Sequence, residues 1–420
     1  MAQGSSSVGR EQIGAGTGAE GVCHDIFHVE GTVGNILSWL PPVSLAKARS
    51  VCSLWNRIII TQKSRNTTLC CILSCPLKKM KQLTPGGSWQ WERDIIHDGR
   101  AYDHSTDSWM TIPLPKSAFN SCMSLFPKAA NVGLVALRDR VPFQPLVHFW
   151  VGNPMTNSWR QIAGASDPDQ GPGFDNTYEL IVHEESKSYK IVHFFYSKTR
   201  PVLRTHIYNS RTEEWSQGAT FPRQGPIYIG SSAVRKGSIY FLQERAIPDS
   251  IPYQMKLCVV RYDVERDEFS VMVSSGPYTI YQIMPFRLIF NPSDDSEEQI
   301  PSIVAQIYDS DQNEVRKVGL LRFKAAHQRW VWDENWEVDA IEWFPNRYSG
   351  SNFSMTGEAR YLYTICRQSY NKVTFINAET LECRLLPDPC DTKRFDVHEL
   401  KGSWHSATMC SFIPRFDMKP

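Results

Sequence analysis

The sequence predicts a mainly β protein that carries a small α-helical module near its N-terminus. Sustained helical periodicity is confined to residues 26–60, and short β-type runs replace it from residue 95 onward. The composition agrees, because 13 Trp, 16 Tyr and 20 Phe together with 26 Pro and 25 Gly favour many short strands and turns over long helices. With 420 residues, the chain is long enough to bury a large core.

Charge and targeting signals exclude several classes of function. The 45 Lys and Arg balance 44 Asp and Glu, which argues against a protein that binds the phosphate backbone of nucleic acid. No uncharged apolar stretch reaches about 18 residues, so no membrane-spanning helix is predicted. Residues 1–25 lack the apolar run of a signal peptide and are predicted to form a disordered tail. The 11 cysteines lack the spacing of a disulfide framework, which indicates reduced thiols and a cytoplasmic and/or nuclear protein.

The helical module is predicted to contain two helices. Four apolar residues of the first fall at positions i, i+3, i+4 and i+7, on one stripe: Val33, Ile36, Leu37 and Leu40. Pro41 and Pro42 end this helix, and Ser44 stands at the N-cap position of the second. Spacings of three and four continue at Leu45, Ala48, Val51, Cys52, Trp55, Ile58 and Ile59. Because so short a hairpin buries little surface of its own, we expect its apolar edge to bind a partner.

The stretch ILSWLPPVSLAKARSVCSLWNRII, residues 36–59, resembles the F-box, the motif by which substrate receptors attach to the adaptor of SCF (cullin-RING) ubiquitin ligases. The family pattern is met at Ile36, Leu37, Ser38, Leu40, Pro41, Ser44, Leu45, Arg49, Val51, Cys52 and Trp55. The resemblance implies an F-box over residues 26–65 that binds the SCF adaptor and, through it, a cullin. It implies that the adaptor contacts are Ile36, Leu37, Leu40, Pro41, Leu45, Val51, Cys52 and Trp55. The alternative is a generic helical hairpin that caps a larger domain.

The rest of the chain contains a repeat in which an Asp or Asn precedes an aromatic residue by six positions. The clear copies are Asp103/Trp109, Asn153/Trp159, Asn209/Trp215 and Asp263/Phe269, and the weaker ones are Lys324/Trp330 and Asn377/Cys383. A short side-chain acceptor at the first position can bond backbone amides and start a turn, while the aromatic residue opens the returning strand. Further β-type runs lie between the copies, so each repeat can supply the four strands of a propeller blade.

The number of repeats and the ends of the chain predict how the propeller closes. The segment 403–414 still has the character of a strand, so C-terminal inner strands are expected to pair with N-terminal outer strands in one shared blade. This predicts a six-bladed β-propeller over residues 95–420, joined to the helical module by a connector at 66–94. Seven blades are the alternative, because the longest interval contains the acidic segment 291–301. A β-sandwich or two smaller β domains would be a different solution.

The repeat period and one local signature resemble known propeller families. The spacing is close to the period of about 50 residues in kelch repeats, so the propeller is described as kelch-like. The stretch GNPMTNSWRQI, residues 152–162, resembles the N-P-x-T-x-x-W signature of the F-box-associated domains of plant F-box proteins. This resemblance implies an F-box protein with a C-terminal propeller.

No motif predicts catalysis, a metal or a cofactor. GAGTGA at 14–19 has no preceding strand, and Cys23, His24 and His28 lack the paired spacing of a structural zinc site, as do Cys70, Cys71 and Cys75. No nucleophile elbow and no phosphate-binding loop occur. The sequence therefore predicts no catalytic, cofactor-binding or metal-binding residue.

Together these patterns predict a non-catalytic substrate receptor of an SCF ubiquitin ligase. The F-box would dock on the adaptor, and the propeller would hold a protein substrate for ubiquitin-dependent degradation. Four long connections are candidates for substrate recognition: 164–174, 246–254, 291–301 and 344–354. The alternatives are a propeller enzyme or metabolite-binding protein with a helical cap, and an F-box scaffold without a role in ubiquitylation.

Overall fold

A computed structural model describes most of the chain from residue 31 onward. The described residues are 31–37, 40, 42–61, 69–72, 79–82, 89–92, 98–103, 106–115, 124–140, 148–165, 177–197, 199–222, 227–247, 254–279, 283–291, 296, 299–309, 314–339, 353–358, 361–366, 373–387, 409–412, 415 and 417–420.

Three short helices form the N-terminal module: α1 (31–37), α2 (Pro42–Ala48) and α3 (Ser53–Thr61). The connection between α2 and α3 is fixed by a hydrogen bond from Arg49 Nε to Asn56 Oδ1, at 2.8 Å. The amide of Trp55 donates to Cys52 Sγ at 3.5 Å, which places a side-chain acceptor at the start of α3. No helix among the described residues is long and apolar enough to cross a membrane.

Among the described residues there are six four-stranded antiparallel sheets, five of them built from four consecutive strands. The first of the five contains β6 (Ser124–Asn131), β7 (Leu134–Arg140), β8 (His148–Asn153) and β9 (Ser158–Ala163). The second contains β10 (Thr177–His183), β11 (Ser188–Tyr196), β12 (Val202–Asn209) and β13 (Glu214–Pro222). The third contains β14 (Ile227–Arg235), β15 (Ser238–Ala246), β16 (Gln254–Asp263) and β17 (Glu268–Thr279). The fourth contains β18 (Ile283–Ile289), β19 (Ser302–Asp309), β20 (Glu314–Lys324) and β21 (Arg329–Asp339), with a 3-10 turn at Ala325–His327. The fifth contains β22 (Phe353–Glu358), β23 (Tyr361–Cys366), β24 (Val373–Asn377) and β25 (Cys383–Leu385).

The remaining four-stranded sheet joins the two ends of the chain. Its strand order is β26-β1-β4-β5, and it comprises β1 (Leu69–Ile72), β4 (Asp98–Asp103), β5 (Ser108–Pro113) and β26 (Met409–Phe412). Leu69 pairs with Phe412 on one side and with Asp103 on the other. The prediction of a shared closing sheet is thus confirmed. A separate two-stranded hairpin is formed by β2 (Lys79–Gln82) and β3 (Trp89–Glu92).

The first strands of the sheets contact one another in a closed cycle: β26, β6, β10, β14, β18, β22 and again β26. Apolar clusters lie between successive sheets, so each sheet packs on both its neighbours instead of on one opposing layer. The mainly β class with an N-terminal helical module is confirmed, and the β domain is a propeller. The described part of the chain contains no seventh four-stranded sheet.

The boundary between connector and propeller differs from the sequence prediction. Strand β1 lies inside 66–94, the segment predicted as connector, yet it is an inner strand of the shared sheet. The physical reason is closure, because without β1 the strands β26 and β4 would each leave an unpaired edge. The propeller therefore takes one strand from the segment that precedes residue 95.

The helical module is continuous with the core of the propeller. Leu37, Ala48 and Ile59 are buried in the same apolar cluster as Ala101 of β4 and Leu137 of β7. Burial of apolar surface in one shared cluster couples the two parts mechanically, since separating them would expose that surface to water. The module is therefore attached to the shared sheet and to the sheet β6–β9.

Candidate functional site

The residues of the F-box pattern divide into exposed and buried groups. Ile36 is 57% exposed and Val51 is 62% exposed, and both are large apolar side chains in contact with water. Cys52 is also exposed. Among single exposed apolar residues such values are ordinary, but here they belong to one short helical module. These three residues, which we call the exposed edge, are the exposed ones among the described residues of the F-box pattern.

The other predicted adaptor contacts lie inward or outside the described residues. Leu37 is completely buried, and Leu40, Leu45 and Trp55 are partly buried against the cluster that joins module and propeller. Pro41 lies outside the described residues. The residues of the apolar stripe predicted for the first helix therefore lie in two environments, because Leu37 faces the core and its neighbour Ile36 faces solvent. In this conformation the buried side chain of Leu37 stabilises the helical module.

The repeat residues occupy equivalent places in all six four-stranded sheets. Each leading residue ends the third strand and each residue six positions later is at or near the start of the fourth. The residue before the leader pairs with the later one across the hairpin, as Tyr102 with Trp109 and Tyr262 with Phe269. In the sheet β6–β9 this partner is Gly152, where a Cβ would lie 2.2 Å from the Trp159 ring. The leaders are Asp103, Asn153, Asn209, Asp263, Lys324 and Asn377, and the later residues are Trp109, Trp159, Trp215, Phe269, Trp330 and Cys383.

The hairpin turns share one backbone geometry. Four positions after each leader the backbone is left-handed, with φ between 48° and 61°: Asp107, Asn157, Glu213, Asp267, Gln328 and Leu381. Where the leader is Asn153, Asn209, Asp263 or Asn377, its side chain accepts amide hydrogen bonds inside the turn, for example from Met155 to Asn153 Oδ1 and from Arg211 to Asn209 Oδ1, both at 3.0 Å. A short acceptor at the start of the turn thus satisfies backbone donors locally.

The aromatic residues of the hairpins tie neighbouring sheets together. Trp215 Nε1 donates to the carbonyl oxygen of Ala163, in the preceding sheet, at 2.7 Å. Trp109 Nε1 donates to the carbonyl oxygen of Pro387, which follows β25, at 2.5 Å. These indole rings therefore pack between neighbouring sheets, and each joins the two sheets by a hydrogen bond.

Two aspartates that the sequence reasoning missed make further links. Tyr262 donates to Asp267 Oδ1 at 2.5 Å, and the same oxygen accepts the amide of Ala219 from the preceding sheet at 2.7 Å. Asp107 accepts from Tyr102 and forms an ion pair with Arg384 at 2.6 Å. Both hairpins share a sequence feature that could have identified these aspartates. A Tyr stands directly before the leading Asp, and a second Asp follows the leader by four positions.

A titratable group lies partly buried among the first strands of three successive sheets. Glu179 on β10 accepts a hydrogen bond from Ser232 on β14. Burial raises the pKa of the Glu179 carboxyl to about 7, although the Ser232 hydrogen bond and the positive charge of Arg287 on β18 oppose this shift. Ionised Glu179 is therefore disfavoured in the folded protein relative to the unfolded chain.

Replacing Glu179 by Gln is expected to remove a pH dependence of stability. A carboxyl whose pKa is raised on folding stabilises the fold below its unfolded pKa of about 4.3, and this contribution is lost as pH rises through about 7. Relative to wild type, Glu179→Gln should gain about 3 kcal/mol of unfolding free energy between pH 4.5 and pH 8. Urea unfolding at the two pH values measures this, and a difference that does not change with pH contradicts it.

A histidine lies in an aromatic cluster nearby. His193 is 2% exposed and stacks on Tyr178 at 4.3 Å between ring centroids. Burial, together with the charges of His206 and Arg138, lowers the pKa of His193 well below its ordinary value. The neutral ring therefore packs as an aromatic side chain. The described residues contain no group of three or more His, Cys, Asp or Glu side chains that could hold a metal ion.

The long connections predicted to recognise a substrate lie largely outside the described residues. Because antiparallel strands alternate in direction, the flanking strands place three of the four connections at one end of the sheets. These three are 164–174, 246–254 and 344–354. The segment 291–301 joins β18 to β19 at the opposite end, where the six hairpin turns lie.

Two family models match the chain. One, described as an F-box domain, matches residues 32–67, and the other, described as an F-box associated beta propeller domain, matches residues 147–414. The second match covers more than half of the chain. A comparison with curated proteins found no match.

Comparison with solved structures returns chains that share low sequence identity with this one. TolB from Acinetobacter baumannii has a TM-score of 0.42 and 8% identity over 88% of this chain and 72% of its own. An alpha-L-arabinanase from Penicillium chrysogenum has a TM-score of 0.40 and 12% identity over 63% of this chain and 81% of its own. A protein from Lactobacillus plantarum has a TM-score of 0.36 and 9% identity over 76% of this chain and 82% of its own.

Proposed function

The chain belongs to the F-box associated beta propeller domain family and carries an F-box domain, and from this premise we propose that it is the substrate-recognition subunit of an SCF (cullin-RING) ubiquitin ligase. The F-box binds the adaptor and through it the cullin, and the propeller binds a protein substrate for ubiquitin-dependent degradation. The protein acts in the cytoplasm and/or the nucleus, where the thiols that the structure describes as free, Cys52, Cys258, Cys383 and Cys410, stay reduced.

The exposed edge is the observation that carries this proposal. Ile36 and Val51 are more than half exposed within the residues that match the F-box domain, although Leu37, Ala48 and Ile59 of the same module are buried. Large apolar side chains held at the surface by a buried support are what a protein interface needs at its centre. We propose that Ile36, Val51 and Cys52 contact the adaptor, while Leu37 and Trp55 hold them in place.

The receptor needs no catalytic residue of its own. When adaptor and substrate are bound to the same chain, the transfer of ubiquitin to the substrate becomes nearly intramolecular. This raises the effective concentration of the substrate lysines that accept ubiquitin. The apolar cluster shared by module and propeller favours a fixed distance between the two binding sites. We propose that the chain is non-catalytic and accelerates transfer by this positioning alone.

We also propose that the propeller is a ring of six blades. The shared sheet β26-β1-β4-β5 counts as one blade, and the five sheets of consecutive strands are the others. The closed cycle of contacts between first strands supports this number, as does the equivalent hairpin geometry in every sheet.

The test of the receptor function is the turnover of proteins bound by the propeller. In cells that express the chain, Val51→Asp should leave propeller-bound proteins bound but lengthen their half-lives several-fold, because the link to the ligase is lost. Pulse-chase measurement of those proteins provides the readout.

A matched control is Val271→Asp, which places the same substitution at a 40% exposed valine of the propeller strand β17. Its effect on turnover should be absent or confined to proteins that β17 binds. Unchanged half-lives with Val51→Asp, in cells where the variant is folded and binds the same proteins, would contradict the proposed function.

A further inference from the structure

A buried histidine lies in a row of ring side chains that crosses the sheet β10–β13. His193 on β11 pairs in register with Tyr178 on β10 and with His206 on β12. Its ring stacks on the Tyr178 ring, with 16° between the two planes. The Phe195 ring lies 4.9 Å from the His193 ring and the His206 ring lies 6.2 Å from it, between centroids. His193 is therefore enclosed by rings, and its exposed fraction is 2%.

The polar atoms of this ring are not satisfied. Among the described residues, neither Nδ1 nor Nε2 of His193 has a hydrogen-bond partner, and both atoms are buried. A neutral imidazole carries one donor and one acceptor, so both remain unpaired. A buried polar group without a partner costs free energy that an apolar ring of similar size would not cost. The position therefore calls for an explanation other than aromatic packing.

The charged groups around His193 are basic. Within the described part of the chain, the charges that act on its ring are those of His206, on the same sheet, and of Arg138 on β7, in the sheet β6–β9. A second guanidinium, that of Arg204 on β12, lies 5.7 Å from the centroid of the Phe195 ring. A proton on His193 would thus bring a positive charge among positive charges.

One of these charges stands on the other side of the junction between two sheets. The Arg138 guanidinium lies over the Tyr178 ring, 5.8 Å from its centroid, and Phe149 of β8 contacts the same ring at 4.5 Å between centroids. Tyr178 is therefore a main contact between the sheets β6–β9 and β10–β13. A cation stacked on a tyrosine is favourable by itself, but this ring already carries Arg138. Charged His193 would face a like charge across the junction in a buried site, which is unfavourable.

We propose that His193 makes the junction between the sheets β6–β9 and β10–β13 acid-sensitive, so that protonation of its ring loosens the contact through Tyr178 and opens the junction reversibly. The proposal does not rest on the receptor function. A histidine whose pKa is lowered on folding leaves stability unchanged above its unfolded pKa of about 6.5 and destabilises the fold as pH falls below that value.

Hydrogen exchange of the full chain at pH 7.5 and pH 5.5, corrected for the intrinsic amide rates, tests the switch. Between these pH values the protection of the β10 and β11 amides in wild type should fall about tenfold relative to the same amides in His193→Phe. Comparison of the two proteins cancels the contributions that they share, including that of Glu179 on β10. The amides of β15 and β16, in the sheet β14–β17, should show no such difference.

Two further variants connect the effect to the His193 ring. His183→Phe is the matched control, because it removes a histidine of β10 whose Nε2 lies 3.4 Å from Glu265 Oε1. It should not reduce the acid-induced loss of protection. His193→Gln is a second uncharged replacement and should reduce this loss as His193→Phe does, so the test stands if one of the two fails to fold.

Three results would each overturn the proposal. Wild type and the folded His193 variants could lose protection equally, which would show that the His193 ring is not the sensor. His183→Phe could abolish the loss as well, which would assign the effect to another histidine. The amides of β15 and β16 could lose as much as those of β10 and β11 in the same comparison, which would replace opening of the junction by unfolding of the whole propeller.

Discussion

Removal of residues 415–420 is expected to lower the free energy of unfolding by about 4 kcal/mol, although the closing strand β26 is left intact. Met418 is completely buried in the apolar cluster between the sheets β6–β9 and β10–β13. Asn153, the leader of the first of these sheets, donates to the carbonyl oxygens of Arg415 at 2.6 Å and Met418 at 3.0 Å. Deletion therefore opens a cavity and leaves a buried amide without its acceptors.

Ion pairs add to the attachment of this segment. Arg415 contacts Glu184 at 2.6 Å and Asp417 at 2.9 Å, so the segment is joined to the β10–β11 turn as well as to itself. Hydrogen bonds from Arg415 hold the pKa of the Asp417 carboxyl below its ordinary value. The segment thus fastens the sheet β6–β9, which lies next to the shared sheet, to the sheet β10–β13. Urea unfolding of the full and shortened chains measures the expected loss.

Three substitutions distinguish this role from a general effect of shortening the chain. Asn153→Ala and Asn209→Ala both remove a turn-starting acceptor, but only Asn153 also anchors the segment, so its loss should cost about 1–2 kcal/mol more. Gly133→Ala, with φ +80°, would place a Cβ 2.5 Å from Arg415 Cβ. Its cost should fall in the shortened chain because that clash is gone. Full additivity of the two changes would contradict the placement of the segment.

The parts of the fold that follow from local rules were predictable from the sequence. The spacing of six between leader and aromatic residue is set by a four-residue turn with one left-handed position, and it recurs because every hairpin has the same geometry. The aromatic residue must pair with the residue before the leader, as Tyr208 does with Trp215. Such patterns need no knowledge of the rest of the chain.

Features that depend on distant contacts were not predictable. Strand β1 is four residues long, carries no repeat signature and pairs with β26, from the opposite end of the chain. Periodicity places Ile36 and Leu37 on one helical stripe but cannot say which of them the propeller core covers. Lys236 and Arg266 likewise line one pocket from two turns that only the folded sheet brings together.

Val51→Asp is expected to weaken adaptor binding about 100-fold or more. Val51 is the most exposed of the large apolar residues among those described, and an aspartate at the centre of an apolar interface would be buried without a partner. The substitution should leave the fold intact, because the side chain makes little contribution to the cluster that contains Leu37 and Ile59. Thermal unfolding of the variant verifies this.

The exposed edge also predicts an order among its neighbours. Ile36→Asp should weaken adaptor binding as Val51→Asp does, since Ile36 is 57% exposed. Leu37→Ala should instead lower the free energy of unfolding by about 3 kcal/mol, because it empties a completely buried site. The two kinds of effect distinguish docking residues from supporting ones.

The most direct test of the account is a calorimetric titration of purified full-length chain with the SCF adaptor, comparing wild type, Val51→Asp and the control Val271→Asp. The account predicts a one-to-one complex for wild type and Val271→Asp and a loss of about 100-fold or more in affinity for folded Val51→Asp. No binding by wild type, or equal binding by wild type and Val51→Asp, would contradict it.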